Sequence, residues 1–180
     1  MTQPMIPLPQ TDAPRLPDWP PVDTVVLPSP EATDALAARI ARVVEAGDTL
    51  LLSGALGAGK THLARALIRA CLGNPNEPVP SPTFTLVQTY EGNAGTLWHA
   101  DLYRLGAPED VFELGLDDAM NGALDDAICL IEWPDRLAPD WPEGAALLHL
   151  SRQSDDTRGV TLHAAPDTPL AARLAQVLHP

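Results

Sequence analysis

The chain has one lysine among its 180 residues, Lys60, and it stands in Gly54-Ala55-Leu56-Gly57-Ala58-Gly59-Lys60-Thr61. This octet has the form G-x-x-x-x-G-K-[ST], a phosphate-binding loop that works only between a buried strand and a helix. Both flanks are legible. Thr49-Leu50-Leu51-Leu52-Ser53 is the short apolar run of a central parallel strand. Thr61 to Leu72 carries Leu63, Ala66, Leu67, Ala70 and Cys71 at helical spacing, with Gly73 placed to stop the helix and Asn74-Pro75 beyond. The first-turn N–H groups and the positive end of that helix then face a phosphate, and glycines at 54, 57 and 59 let the backbone come close. Every other basic side chain is one of ten arginines. A compact ammonium therefore stands where a point charge must reach phosphates, a task the planar guanidinium fork does not imitate. These features imply an α/β domain that binds ATP or GTP.

The rest of the chain fits one domain. Residues 1–30 hold nine of the twenty prolines, a composition of extended, loosely ordered chain, so residues 1–20 are read as an extension and 21–180 as the domain. Ser29-Pro30 opens a helix with Leu36, Ile40, Val43 and Val44 on one stripe, ended by Gly47. The run Thr83 to Tyr90, the Gly92-Asn93-Ala94-Gly95 turn and Leu97 to Ala100 predict an antiparallel hairpin. Ala127 to Ile131, Ala146 to Leu150 and Val160 to His163 predict three more strands, and Thr168-Pro169 starts a last helix. The expected fold is α/β: a mixed, mostly parallel sheet with helices on both faces and an antiparallel hairpin.

Composition narrows the partners. A formal charge of −13 argues against unaided nucleic-acid binding. Cys71 and Cys129 lie in apolar stretches and read as small core residues, not as a disulfide or metal pair. No run of 18 apolar residues and no N-terminal signal pattern is present, so a cytoplasmic protein without a membrane anchor is expected.

A bound triphosphate needs magnesium, held by the loop hydroxyl and by a carboxylate at the end of a neighbouring strand. Thr61 supplies the hydroxyl. Glu132 directly follows the apolar strand Ala127 to Ile131 and reads either as the carboxylate or as a plain strand-ending glutamate. Asp101 also ends an apolar strand, where it orients a water or begins a turn. Thr83 and Thr85 enter a strand through Pro78-Val79-Pro80-Ser81-Pro82 and either respond to the γ-phosphate or serve as strand threonines. His99 reads as a hydrogen-bonded structural histidine.

The segments Leu51 to Thr61, Ser81-Pro82-Thr83-Phe84, His99-Ala100-Asp101-Leu102-Tyr103-Arg104 and Ile131-Glu132-Trp133-Pro134, in that order and spacing, resemble the bacterial TsaE (YjeE) family over about Leu27 to Leu162. The resemblance implies a cytoplasmic P-loop ATPase of the pathway that makes N6-threonylcarbamoyladenosine at position 37 of tRNA. It implies that the protein acts on the TsaB and TsaD proteins without transferring the group itself, and meets tRNA only through them. It further implies Gly57, Ala58, Gly59, Lys60, Thr61 and His62 around the phosphates of ATP, Thr61 and Glu132 at magnesium, and Asp101 as needed for hydrolysis. Thr33 is similar to a position near the nucleotide base and Arg158 to a basic position before the last strand. Ala55 departs from the acidic residue common in the family loop, and the proline-rich extension lies outside the pattern.

A small-molecule kinase is the competing reading, because such kinases share the size and the loop. They use an arginine-bearing lid, whereas Arg136, Arg152 and Arg158 are scattered here. A GTPase switch is disfavoured further, because its guanine-reading Asn-Lys-x-Asp segment would need a second lysine.

Overall fold

In the structure, a computed structural model that describes residues 16–107 and 109–180, seven strands form one sheet. They are β1 (Pro21–Leu27), β2 (Thr49–Ser53), β3 (Val87–Gly92), β4 (Gly95–Asp101), β5 (Ala127–Glu132), β6 (Ala146–Arg152) and β7 (Arg158–Ala164), in the order β1-β7-β6-β2-β5-β4-β3. The central strands β6, β2, β5 and β4 pair parallel. Antiparallel pairing at β7–β6, β1–β7 and β3–β4 makes β7 and β3 the reversed strands, so five of the seven run one way. The expected mixed, mostly parallel sheet with its hairpin is what the chain forms.

Alternation along the central strands divides the core in two. Leu50, Leu52, Ile128, Leu130 and Leu148 point to one face, where they meet Leu36 and Ile40 of α1 (Pro30–Ile40), Leu63 and Leu67 of α2 (Lys60–Leu72) and Leu174 of α5 (Pro169–Val177). Leu51, Cys129, Ile131 and Leu147 point the other way, onto Val111 of α3 (Asp110–Glu113), Leu116 and Met120 of α4 (Leu116–Met120) and Leu137 of a short 3-10 turn. The helix starts follow their local chemistry. Ser29 caps α1 by accepting from the Ala32 N–H at 3.3 Å, and Gly73 ends α2 in the left-handed conformation. Burial pushes the Cys71 thiol up to about 11 and that of Cys129 to about 12, in keeping with two free core cysteines.

Three expectations need correction. The strand expected from Thr83 begins only at Val87; Thr83 to Leu86 form a turn closed by the Leu86 N–H on the Pro82 carbonyl at 2.6 Å, with Leu86 at φ +63°. Strand β1 was not anticipated, because Pro21 and the mixed Val22-Asp23-Thr24 run give little signal; an edge position tolerates both. The folded region also starts before residue 21. Leu16 and Trp19 pack against the second core, and the Trp19 carbonyl accepts from His163 Nδ1 at 3.1 Å. Residues 1–15, the remainder of the proposed extension, lie outside the described residues. Among the described residues no helix is long and apolar enough to cross a membrane.

Candidate functional site

Strand β2 ends at Ser53 and the chain turns through Gly54 to Gly59 into α2. At Gly54 the backbone sits at φ +136°, and a Cβ there would lie 2.2 Å from the Leu150 carbonyl oxygen, so only glycine lets the loop pass β6. Gly59, at φ +107°, makes the last bend that aims the first N–H groups of α2 back over the loop. Lys60 is the first residue of α2 and is buried. Its Nζ donates to the carbonyls of Gly54 at 2.8 Å and Ala55 at 2.9 Å and lies 4.0 Å from the centre of the Trp133 ring. Burial lowers its pKa below the ordinary lysine value, opposed by the nearby charges of Glu132, Asp101 and Asp135.

Strand register brings the carboxylates to this loop. Asp101 is the Cα partner of Glu132 across β4 and β5, and His99 lies one step back opposite Leu130. By the period of two, His99, Asp101 and Glu132 all face the α2 side of the sheet. The Thr61 hydroxyl donates to Glu132 Oε2 at 2.7 Å, and His99 Nε2 meets Glu132 Oε1 at 2.8 Å, with His99 and Glu132 both buried. As the donor to a carboxylate oxygen in this pair, His99 carries a proton on Nε2. Its Nδ1 is buried with no partner among the described residues. Asp101 Oδ2 accepts from the hydroxyls of Ser81 and Thr83, each at 3.2 Å, and Oδ1 accepts from the Tyr103 N–H at 3.0 Å.

Lys60, Thr61, Ser81, Thr83, Asp101 and Glu132 line one cleft of about 360 Å³ together with Gly57, Gly59, His62, Tyr103, Arg104 and Trp133, and His99 lies outside its lining. Trp133 holds φ +59°, a strained conformation for a bulky residue, and this places its ring on Lys60 and against Tyr103 at 4.8 Å. A second, smaller cleft joins Thr33 and Arg158 to Gly59 and His62. The Arg158 Nη1 is used within its own turn, donating to the carbonyls of Ser154, Asp155 and Thr157. The structure thus gathers Gly57, Gly59, Lys60, Thr61, His62, Asp101 and Glu132 in one place, with Thr33 and Arg158 beside it. Ala58 stands apart: its side chain is buried in the core and its N–H already donates to the Ala55 carbonyl at 3.1 Å. Thr85 is exposed and outside the cleft, whereas Thr83 lines it.

Sequence reading missed Ser81, Trp133 and Arg104 as site residues, whereas His99, read as a hydrogen-bonded structural histidine, is buried and bonded to Glu132. A hydroxyl two residues before Thr83 was the available sign of Ser81. Nothing local marks Trp133, because its role depends on a left-handed turn after β5.

A glycine-rich loop between a central parallel strand and its helix, with a carboxylate at the end of the adjacent strand, defines the P-loop class of α/β proteins. Within that class, residues 27–160 match the family described as "Threonylcarbamoyl adenosine biosynthesis protein TsaE", and the chain belongs to the TsaE family. The tRNA threonylcarbamoyladenosine biosynthesis protein TsaE of Rickettsia bellii is 38% identical over 133 residues, 74% of this chain and 89% of that protein. The protein of the same name from Rickettsia conorii is 46% identical over 107 residues, 59% of this chain. That match spans only 58% of the Rickettsia conorii protein's own length. The crystal structure of YdiB from Bacillus subtilis is similar with a TM-score of 0.68 and 29% identity, covering 86% of this chain and 94% of that one.

Proposed function

We propose that this chain is a magnesium-dependent ATPase of the cytoplasm that serves tRNA N6-threonylcarbamoyladenosine biosynthesis by acting on a TsaB–TsaD complex. The observation that carries the reading is the convergence of Lys60, Thr61, Glu132 and Asp101 in one cleft over the phosphate loop. In it, Lys60 leaves the Gly54 and Ala55 carbonyls to meet the phosphates, and the first N–H groups of α2 bind them from the other side.

The residues present suit magnesium. Thr61 Oγ1 and Glu132 Oε2 are hard oxygen donors already 2.7 Å apart, and among the described residues no cluster of three or more His, Cys, Asp or Glu offers a different metal cage. An ion with few protein ligands that keeps its waters and takes phosphate oxygens fits such a pair. When bound it would neutralise charge developing on the phosphates. Asp101, held by Ser81 and Thr83, lines the cleft and would orient an attacking water there. Arg136 donates to the Tyr103 carbonyl and Arg152 to Asp155. With Arg158 tied to its own turn, those three arginines form no lid, which favours water over a metabolite hydroxyl as acceptor. The acidic surface favours a protein partner over direct contact with RNA.

The test is ATP hydrolysis with magnesium by the purified chain, alone and with the matching TsaB and TsaD proteins. The expected result is weak turnover alone, changed by the partners, and none in Lys60→Ala. Asp101→Ala and Glu132→Ala should retain nucleotide binding and lose turnover. Phosphate appearing on an added metabolite, with no response to the partners, would establish a kinase instead.

A further inference from the structure

A third cleft, about 520 Å³ and larger than the one over the phosphate loop, runs along α2 between Asp34 of α1 and the turn at Gly73 to Pro75. Ala66 and Ala70 line it, so the helix backbone lies close beneath, and Arg65 and Arg69 stand in it one helical turn apart. Each guanidinium is aimed by a single bond to a neutral group. Arg65 Nε donates to the Val79 carbonyl and Arg69 Nε to the Glu77 carbonyl, both at 2.9 Å. Their Nη groups have no protein acceptor among the described residues.

The carboxylates nearby are engaged elsewhere: Asp34 with His62 at 2.7 Å and Glu77 with Asn74 at 2.9 Å. In a chain with 24 acidic residues, Arg173 and Arg152 have carboxylate partners, but this pair does not. Two guanidinium groups at i and i+4 on one face repel each other. Half-buried and with donors to spare, they favour an anion between them. Asp34 in the lining opposes a long polyanion, whereas a compact anion fits between the arginines. We infer that this cleft is a second site, separate from the nucleotide cleft and sharing only His62 with it, for a small molecule bearing a phosphate or carboxylate group.

The test is a titration of inorganic phosphate, and separately of succinate, into the full chain, read by NMR from the Arg65 and Arg69 Nε–H resonances and, so that variants lacking those groups can be compared, from the backbone amides of Ala66 and Ala70 in the same cleft. Saturable shifts of these signals with at least one probe are expected, and the responding probe tells phosphate from carboxylate. The response should persist in Lys60→Ala, where the phosphate loop is crippled, and vanish in Arg65→Gln/Arg69→Gln. Because the Nε bonds also tie the 77–79 segment to α2, Arg65→Lys/Arg69→Lys serves as a second variant. It keeps the charge without the fork and should bind about tenfold more weakly. No saturable shift with either probe, a shift that disappears in Lys60→Ala, or undiminished binding without both arginines would overturn the site.

Discussion

Glu132 has both carboxylate oxygens engaged inside the protein, one by Thr61 and one by His99, with 1% of its surface exposed. Removing one donor leaves a buried carboxylate oxygen without a partner, which costs about 1–3 kcal/mol. His99→Leu should lower stability by about that much in urea unfolding, and His99→Gln, which keeps an N–H donor at similar reach, should lower it less. A leucine variant as stable as the parent would mean that Glu132 is held by Thr61 alone. Lys60 is the opposite case. Its lowered pKa means the folded state disfavours the ammonium relative to the unfolded chain, so at neutral pH the charge is carried at the expense of stability. That expense is fully present below the folded pKa and is relieved as pH rises toward the ordinary lysine value of 10.5. Lys60→Met, similar in length and uncharged, should therefore lose nucleotide binding while its calorimetric melting point equals or exceeds the parent's. A lower melting point would show that the bonds to the Gly54 and Ala55 carbonyls outweigh the burial.

At the scale of elements, the strand-loop-helix unit was legible because its signals are local: an unbroken apolar run, a fixed glycine spacing and a terminal glycine. The Thr83 segment was misjudged because its β-rich composition is overridden by tertiary bonds, the hydroxyls of Ser81 and Thr83 turning back to Asp101. Strand β1 escaped for the converse reason, its partner β7 lying more than a hundred residues away. The loop glycines separate two kinds of constraint. At Gly47, with φ +91° and nothing within 4 Å of a Cβ, alanine meets only the backbone penalty, about 1–2 kcal/mol. At Gly54 the same substitution adds a clash with the Leu150 carbonyl, a backbone atom of β6 that cannot swing aside. Gly54→Ala should thus shift the denaturant midpoint well beyond Gly47→Ala. Equal shifts would mean that the β2 end can move away from β6 without loss.

Over the whole molecule, the residue types of the site could be read from the chain, but their convergence depends on register. Asp101 opposite Glu132, and Trp133 folded over Lys60, exist only once β2, β5 and β4 are aligned. The same alignment sets an acid limit on the fold. Ser53 and His149 are register partners of β2 and β6, and the Ser53 hydroxyl lies 2.9 Å from His149 Nδ1. Burial holds the His149 pKa below its ordinary value of 6.5, and the charges of His163 and Lys60 push the same way. The folded state therefore binds this proton less readily than the unfolded chain. The contribution of neutral His149 is complete above about pH 6.5 and is lost as pH falls through the ordinary value toward the folded one. Glu31, whose carboxyl is lowered by its bond to Ser29, acts in a separate window below its ordinary value of 4.5. Melting temperatures of the parent should consequently decline between about pH 7 and 5, above the ordinary value of Glu31. His149→Gln, which keeps a side-chain amide beside Ser53 and cannot charge, should flatten that decline and leave the Glu31-linked loss below pH 4.5 in place. Equal slopes for the two proteins between about pH 7 and 5 would assign the early loss to another group.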